Sequence, residues 1–322
     1  MRKKDGGGSE LTGSCSAEKG TKNMDKIKII RRITKKLISA PGAPGEKTGT
    51  QHPVPDDLTE EFNVPFRGRD GNELYADIYM PKETGGEKLP VIVIVHGGGL
   101  FAGKPAAERG AAEVFARKGY LVFVPSYRML MDANACEEIS DICAGFDFAG
   151  QEAESRGGDP DRVFAIAESA GAFLAEYAAA MQKSEKLCGQ IGYEPPHTAV
   201  RAIAFVSGMF YTARKDLFGM FYPKAIYRER LEDREFMAFM DPENAEVIKN
   251  LPPSILLTSR NDFLRGYTMK YAEALKKAGI PNRLVYYAEK KKELVHAFVM
   301  LWPELPEAKD AAAKIDEWFR NV

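Results

Sequence analysis

The chain has 322 residues, 44% hydrophobic and 28% charged, with 45 Lys+Arg against 46 Asp+Glu and a formal net charge of −1. Such a length and apolar content support one large globular domain or two smaller ones, and the balanced charge gives no electrostatic basis for nucleic acid as a partner. Four cysteines, at 15, 136, 143 and 188, lack metal-ligand or redox spacing, and no apolar run reaches membrane-spanning length.

Residues 1–23 are polar and glycine-rich and read as a disordered extension, with Met24 a candidate start. Arg2-Lys3-Lys4 is not followed by the apolar centre of a secretion signal, so a cytoplasmic location is expected. Residues 24–60 combine a basic amphipathic helix with a proline- and glycine-rich linker. Ile27, Ile30, Ile33 and Leu37 recur at helical spacing among Lys26, Lys28, Arg31, Arg32, Lys35 and Lys36. The favoured reading is an arm that packs on the body or covers the mouth of a site. Contact with an anionic membrane surface is the less favoured one.

Residues 61–322 read as the main domain. Strand candidates lie at 62–66, 73–79, 91–95, 120–124, 163–167, 201–206, 254–259 and 283–287. The first two flank Arg69-Asp70-Gly71-Asn72, a hairpin turn. From the third onward the strands are continuous apolar runs, which implies burial on both faces and a largely parallel sheet. Helices are expected over 105–118, 136–156, 170–183, 267–278 and 306–320. Cys136 and Cys143, seven apart on one helix face, read as packing residues. The predicted class is α/β: an antiparallel start, then a mostly parallel eight-stranded sheet flanked by helices. Ligands on such sheets bind at the carboxyl ends of the strands.

The stretch from Val206 to Ser254 is too long for a simple crossover. It carries Phe210, Tyr211, Phe218, Phe221, Tyr222, Tyr227, Phe236 and Phe239. It reads as an inserted helical cap, at about 209–250, whose aromatics build its own small core more readily than they line a pocket.

The chemistry centres on 163–171. The apolar run Val163 to Ala167 leads into Glu168 and Ser169, and Ala170-Gly171 opens a stretch of helix formers. A serine on a sharp strand-to-helix turn is the nucleophile elbow, G-x-S-x-G, with Ala167 in place of the first glycine. A serine nucleophile needs a base, a group to orient that base, and donors for the oxyanion. In this arrangement the acid and then the histidine follow the serine. Of His52, His96, His197 and His296, the first two precede Ser169, and His197 has no strand-end acid ahead of it. His296, after the last strand, is the expected base. Asp262, just past 254–259, is the expected acid; Glu289 and Glu293 are alternatives, while Asp216, Asp233 and Asp241 in the insert read as solvated. The run 91–95 leads into His96-Gly97-Gly98-Gly99, where glycines can turn their N–H groups toward one point. Gly97 and Gly98, with Ala170, are the expected oxyanion donors.

His96-Gly97-Gly98-Gly99, Ser126-Tyr127-Arg128, Asp159-Pro160-Asp161-Arg162, Glu168-Ser169-Ala170-Gly171, Asn261-Asp262 and His296-Ala297-Phe298 together resemble the signature of the hormone-sensitive-lipase-like branch of α/β-hydrolases. That branch includes bacterial acetyl esterases and short-chain carboxylesterases, and the resemblance spans roughly residues 60–320. It implies an α/β-hydrolase fold capped by the amino-terminal arm and the insert. It also implies hydrolysis of small-molecule, short-chain (acetyl-type) esters through an acyl-enzyme, with no cofactor and no metal. His96 and Gly99 would then support the oxyanion loop, His96 not serving as base. The chain departs from the pattern at Ala167, at Glu168 where aspartate is frequent, and at Met129-Leu130-Met131-Asp132 where Leu-Ala-Pro-Glu is common. An amidase or peptidase using the same three residues, and a non-catalytic ligand-binding member of the fold, are the competing readings. A homo-oligomer is left open.

Overall fold

The structure is a computed structural model that describes residues 55–130, 132–213 and 222–322. The expected arm, its basic helix, His52 and Cys15 lie outside the described residues. Eight strands form one sheet: β1 (Leu58–Arg67), β2 (Glu73–Pro81), β3 (Leu89–Val95), β4 (Leu121–Pro125), β5 (Gly158–Glu168), β6 (Val200–Val206), β7 (Ser254–Ser259) and β8 (Asn282–Tyr287). Their order across the sheet is β1-β2-β4-β3-β5-β6-β7-β8. β2 runs antiparallel to both β1 and β4, and every later pairing is parallel. Gly71, at φ 76, turns the chain between β1 and β2.

The apolar runs of β3 to β7 are buried on both faces, as a covered parallel sheet requires, whereas the edge strand β8 is largely half-buried and exposes Tyr286. Ile92, Ile94, Val122, Val124 and Ile166 pack under Ala112, Phe115, Ile315 and Phe319, from the helices Arg109–Arg117 and Pro306–Arg320. The helices Ala135–Ala153 and Ala170–Met181 cover the other face. Asn134 caps the first of these by a reciprocal capping box with Glu137. Cys136 and Cys143 are buried free thiols on that helix. Among the described residues no helix is long and apolar enough to cross a membrane.

Three differences from the sequence reading stand out. β1 begins at Leu58, so 58–60 belong to the sheet and not to the linker. A bulge between Glu61 and Val64, with Asn63 at φ 54 donating its N–H to Asp77 Oδ1 at 2.9 Å, breaks the two-residue alternation that marks a strand. β5 begins at Gly158 and takes in Asp159-Pro160-Asp161-Arg162, where Arg162 Nε donates to Asp159 Oδ2 at 2.7 Å. That motif therefore sits at the amino end of β5, opposite Ser169. An additional helix, Glu185–Ile191, starts at Ser184, whose hydroxyl accepts the Leu187 N–H, and stops at left-handed Gly192.

Between β6 and β7 the insert is helical at Tyr222–Tyr227, Arg234–Phe239 and Ala245–Ile248. Phe210, Tyr211, Tyr227 and Phe236 are buried, and Phe210 stacks on Tyr271 at 4.1 Å between centroids. Tyr227 meets Phe236 within the insert, as in a small core of its own, while Phe210 and Tyr211 reach across to Tyr271 of the body. Phe218 and Phe221 lie outside the described residues.

Candidate active site

Ser169 stands between β5 and the helix Ala170–Met181 with φ 51 and ψ −113. A non-glycine residue at positive φ is strained, and the surroundings must hold it there. The Ser169 N–H donates to Val206 O, and the Ser169 carbonyl accepts the Met209 N–H, both at 2.9 Å. A Cβ at Gly171 would lie 2.2 Å from Val95 O and 2.6 Å from His96 O, so the helix start touches the end of β3. Ala167 is a regular strand residue paired with Val95 and Phe205. The close approach falls at 171, which is why alanine serves at 167.

His296 and Asp262 meet this serine. His296 Nε2 lies 2.8 Å from Ser169 Oγ, and His296 Nδ1 lies 2.7 Å from Asp262 Oδ1. Asp262 is fixed on the turn after β7: Oδ2 accepts the Thr258 hydroxyl at 2.7 Å and Oδ1 accepts the Leu264 N–H at 2.9 Å. Burial works against its charge, but the His296 imidazole and these donors more than offset that and hold the carboxyl below its ordinary range. The loop carrying His296 is tied to the same strand ends. Ser259 Oγ donates to Leu294 O at 2.7 Å, Asn261 Nδ2 donates to Lys291 O at 2.7 Å, and Asn261 bridges Val295. Ala297, at φ 56, donates its N–H to Ser207 Oγ at 3.0 Å.

The glycine run lies against the elbow. A Cβ at Gly97 would lie 2.3 Å from Glu168 Oε1 and 3.0 Å from Ser169 Cβ. Among the described residues no carbonyl takes the N–H of Gly97, Gly98, Gly99 or Ala170. Gly98 and Gly99, at φ 120 and 64, turn the chain there. Burial pushes Glu168 well above the usual carboxylate range, reinforced by neighbouring Glu108, itself raised by burial to about 7.

His96 is buried and stacks on Tyr127 with 4.3 Å between centroids. Its Nδ1 lies 2.8 Å from Gly97 O, and the Tyr127 hydroxyl donates to His96 O at 3.0 Å. Burial lowers the His96 imidazole to about 4, so it is neutral and shapes the loop. His197 is on the surface, its N–H and Nδ1 held by Asp147. Glu289 and Glu293 are exposed. Asp233 and Asp241 are exposed and accept the Phe236 and Glu243 N–H groups at turns. Asp216 lies outside the described residues.

Thr258, Ser259, Ser207 and Glu108 were not singled out from the sequence. The first three stand at the carboxyl ends of β6 and β7, and that position was a usable signal; Glu108 carried none. Among the described residues no group of three His, Cys, Asp or Glu is disposed to hold a metal. A cavity of about 1100 Å³ lined by Arg69, Gln182, Lys183, Cys188 and Tyr193 lies at the far end of the helix that starts beside Ser169.

A strained serine at a strand-to-helix turn, bonded through a histidine to a strand-end aspartate on this sheet, defines an α/β-hydrolase. A protein-family model, BD-FAE, matches residues 76–262, and the chain belongs to that family. A probable isoprenylcysteine alpha-carbonyl methylesterase of Oryza sativa subsp. japonica is 26% identical over 73% of this chain and 58% of its own length. The chain thus spans about half the length of the curated methylesterases it matches. Carboxylesterase NlhH of Mycobacterium tuberculosis is 25% identical over 81% of this chain and 83% of its own. Among solved structures, esterase B from Lactobacillus rhamnosis shares the fold with a TM-score of 0.81 at 21% identity, covering 94% of this chain and 96% of that one.

Proposed function

We propose that this chain is a serine hydrolase that cleaves small carboxylic esters with short acyl groups through an acyl-enzyme. The observation that carries the reading is the unbroken line from Ser169 Oγ to His296 Nε2 at 2.8 Å and from His296 Nδ1 to Asp262 Oδ1 at 2.7 Å. His296 takes the Ser169 proton as Oγ attacks the acyl carbonyl, and Asp262 stabilises the imidazolium that forms. The carbonyl π electrons move onto oxygen, which the N–H groups of Gly97, Gly98 and Ala170 receive. The oxyanion collapses, the bond to the alkoxy oxygen breaks, and His296 returns the proton to the leaving alcohol. Water, deprotonated by His296, then attacks the acyl-enzyme, and Ser169 leaves with the proton.

The names of relatives support ester over amide: NlhH is a carboxylesterase, and a protein of Dothistroma septosporum, 28% identical over 77% of this chain, is a versiconal hemiacetal acetate esterase. Two solved esterase B structures are described as inhibited complexes, one with a tributyrin phosphonate. The short-acyl preference is supported by the acetate ester in the name of the Dothistroma septosporum relative. Ser169→Ala is expected to lower kcat on p-nitrophenyl acetate by at least 10⁴-fold, on the order of the loss seen when a triad serine is removed. A near-normal rate in that variant would sink the assignment. Rates on matched ester and anilide substrates separate esterase from amidase.

A further inference from the structure

The glycines at 97–99 have no side chains to hold them, so the loop that presents their N–H groups depends on its neighbours. Residues 127–130, just after β4, brace it on both sides. The Tyr127 hydroxyl donates to His96 O at 3.0 Å, and the Leu130 N–H donates to Leu100 O at 2.9 Å. These two bonds bracket the glycine run. Leu100 needs the support, because it is a non-glycine residue at φ 65. Tyr127, Leu100 and Leu130 are all buried, so the brace is made away from water.

The brace is pinned in turn by the insert. Arg228, directly after the helix Tyr222–Tyr227, donates from Nη2 to Leu130 O at 2.9 Å and to Ala133 O at 2.7 Å. Leu130 thus takes a guanidinium on its carbonyl while its own N–H holds Leu100. Both carbonyls belong to buried residues, and a charged donor makes the stronger kind of hydrogen bond. Arg228 itself sits at φ 49, a conformation that a residue with a side chain keeps only where its surroundings fix it. Arg230 holds the insert at a different place: its Nη1 donates to Gln190 O at 2.6 Å, on the helix Glu185–Ile191. A single residue, Leu130, therefore joins Arg228 to the loop of the oxyanion donors.

We infer that Arg228 is a positioning residue that carries the placement of the insert to the oxyanion loop through Leu130. The inference rests on the ester-hydrolase reading and names a residue that sets the geometry of that same site. It is tested by measuring kcat and KM on p-nitrophenyl acetate for wild type, Arg228→Gly, Arg228→Lys and Arg230→Met, with a thermal melt of each. Glycine accepts a left-handed backbone, so Arg228→Gly deletes the guanidinium without adding strain. Arg228→Gly is expected to lower kcat about 10- to 100-fold with KM within about 2-fold, because the oxyanion donors act on the transition state more than on the bound ester. Arg228→Lys keeps a charged donor and should recover most of that loss, and Arg230→Met should leave kcat close to wild type. A rise in KM at unchanged kcat, or an equal fall in kcat for Arg228→Gly and Arg230→Met, would mean that Arg228 only anchors the insert; either overturns the inference, as does no change in either constant. Should Arg228→Gly fail to fold, Arg228→Gln takes its place, since the shorter, neutral amide cannot serve both carbonyls, and a wild-type kcat in it overturns the inference equally. A folded wild type that is inert to the ester and unlabelled by a fluorophosphonate would instead overturn the ester-hydrolase reading, and this inference with it.

Discussion

His296 owes its position to several anchors beyond Asp262. Ser207 Oγ accepts the N–H of Ala297, the left-handed residue that turns the chain just after the imidazole. Ser207→Ala removes that acceptor and leaves a buried amide unpaired. The expected result is a fall in kcat of about 10-fold with KM within about 2-fold, because a small misplacement of a proton-transfer group costs rate more than binding. Steady-state kinetics on p-nitrophenyl acetate reads both. Thr258 plays the matching part for Asp262, donating to Oδ2. Thr258→Val keeps the shape and deletes the donor, so it should cost about 1–3 kcal/mol of stability at neutral pH by chemical denaturation. The carboxyl of Asp262 sits below its ordinary range, so its stabilising effect is present above the unfolded value near 4 and fades as pH falls through the folded one. Asp262→Asn should therefore flatten the loss of thermal stability on the acid side below about pH 4.

The elbow and its helix act as one element. Gly171 is the position where the helix meets β3, and a methyl there would run into two backbone carbonyls that cannot turn aside. Gly171→Ala should either fail to fold or lose more than about 100-fold in kcat/KM, the scale of a 1 Å displacement at a reacting group. Gly189, within Glu185–Ile191, has nothing within 4 Å of its would-be Cβ. Gly189→Ala should instead raise stability by about 0.5–1 kcal/mol, since alanine loses less entropy in a helix. A drop in melting temperature for Gly189→Ala would contradict that account. This contrast also explains what could be read locally. The apolar runs of β3 to β7 were legible because a strand covered on both sides needs no alternation. β1 was read short because its bulge breaks the period, and the helix at 185–191 was missed because seven residues carry too little periodicity. Its signals were the cap serine and the left-handed glycine.

At the scale of the whole molecule, the buried carboxyls set the pH response. Burial raises Glu108 to about 7 and pushes Glu138, Glu168 and Glu176 well above the carboxylate range. The folded state therefore keeps protons that the unfolded chain releases above about pH 4.5. The sign follows: these groups cost nothing below the unfolded value, and their cost grows as pH rises toward the folded one. For Glu108 alone the cost at neutral pH is on the order of 3 kcal/mol. Glu108→Gln should melt several degrees above wild type at pH 7.5 and close to it at pH 4.5. The same difference at both pH values would show that Glu108 is not protonated in the fold.

The sequence by itself determined what depends on neighbours along the chain: the strand runs, the sharp turn at Ser169, the glycine run and the few histidines that could follow it. Periodicity and turn chemistry act over a few residues, so they are written locally. Only the tertiary structure decided what depends on groups far apart in the chain. It set His296 against Ser169 across 127 positions, hung the Ala297 amide on Ser207, and tied the loop that carries His296 to Ser259. Those outcomes follow from burial, which drives the polar groups it covers to find partners, and no local pattern states which partner that is.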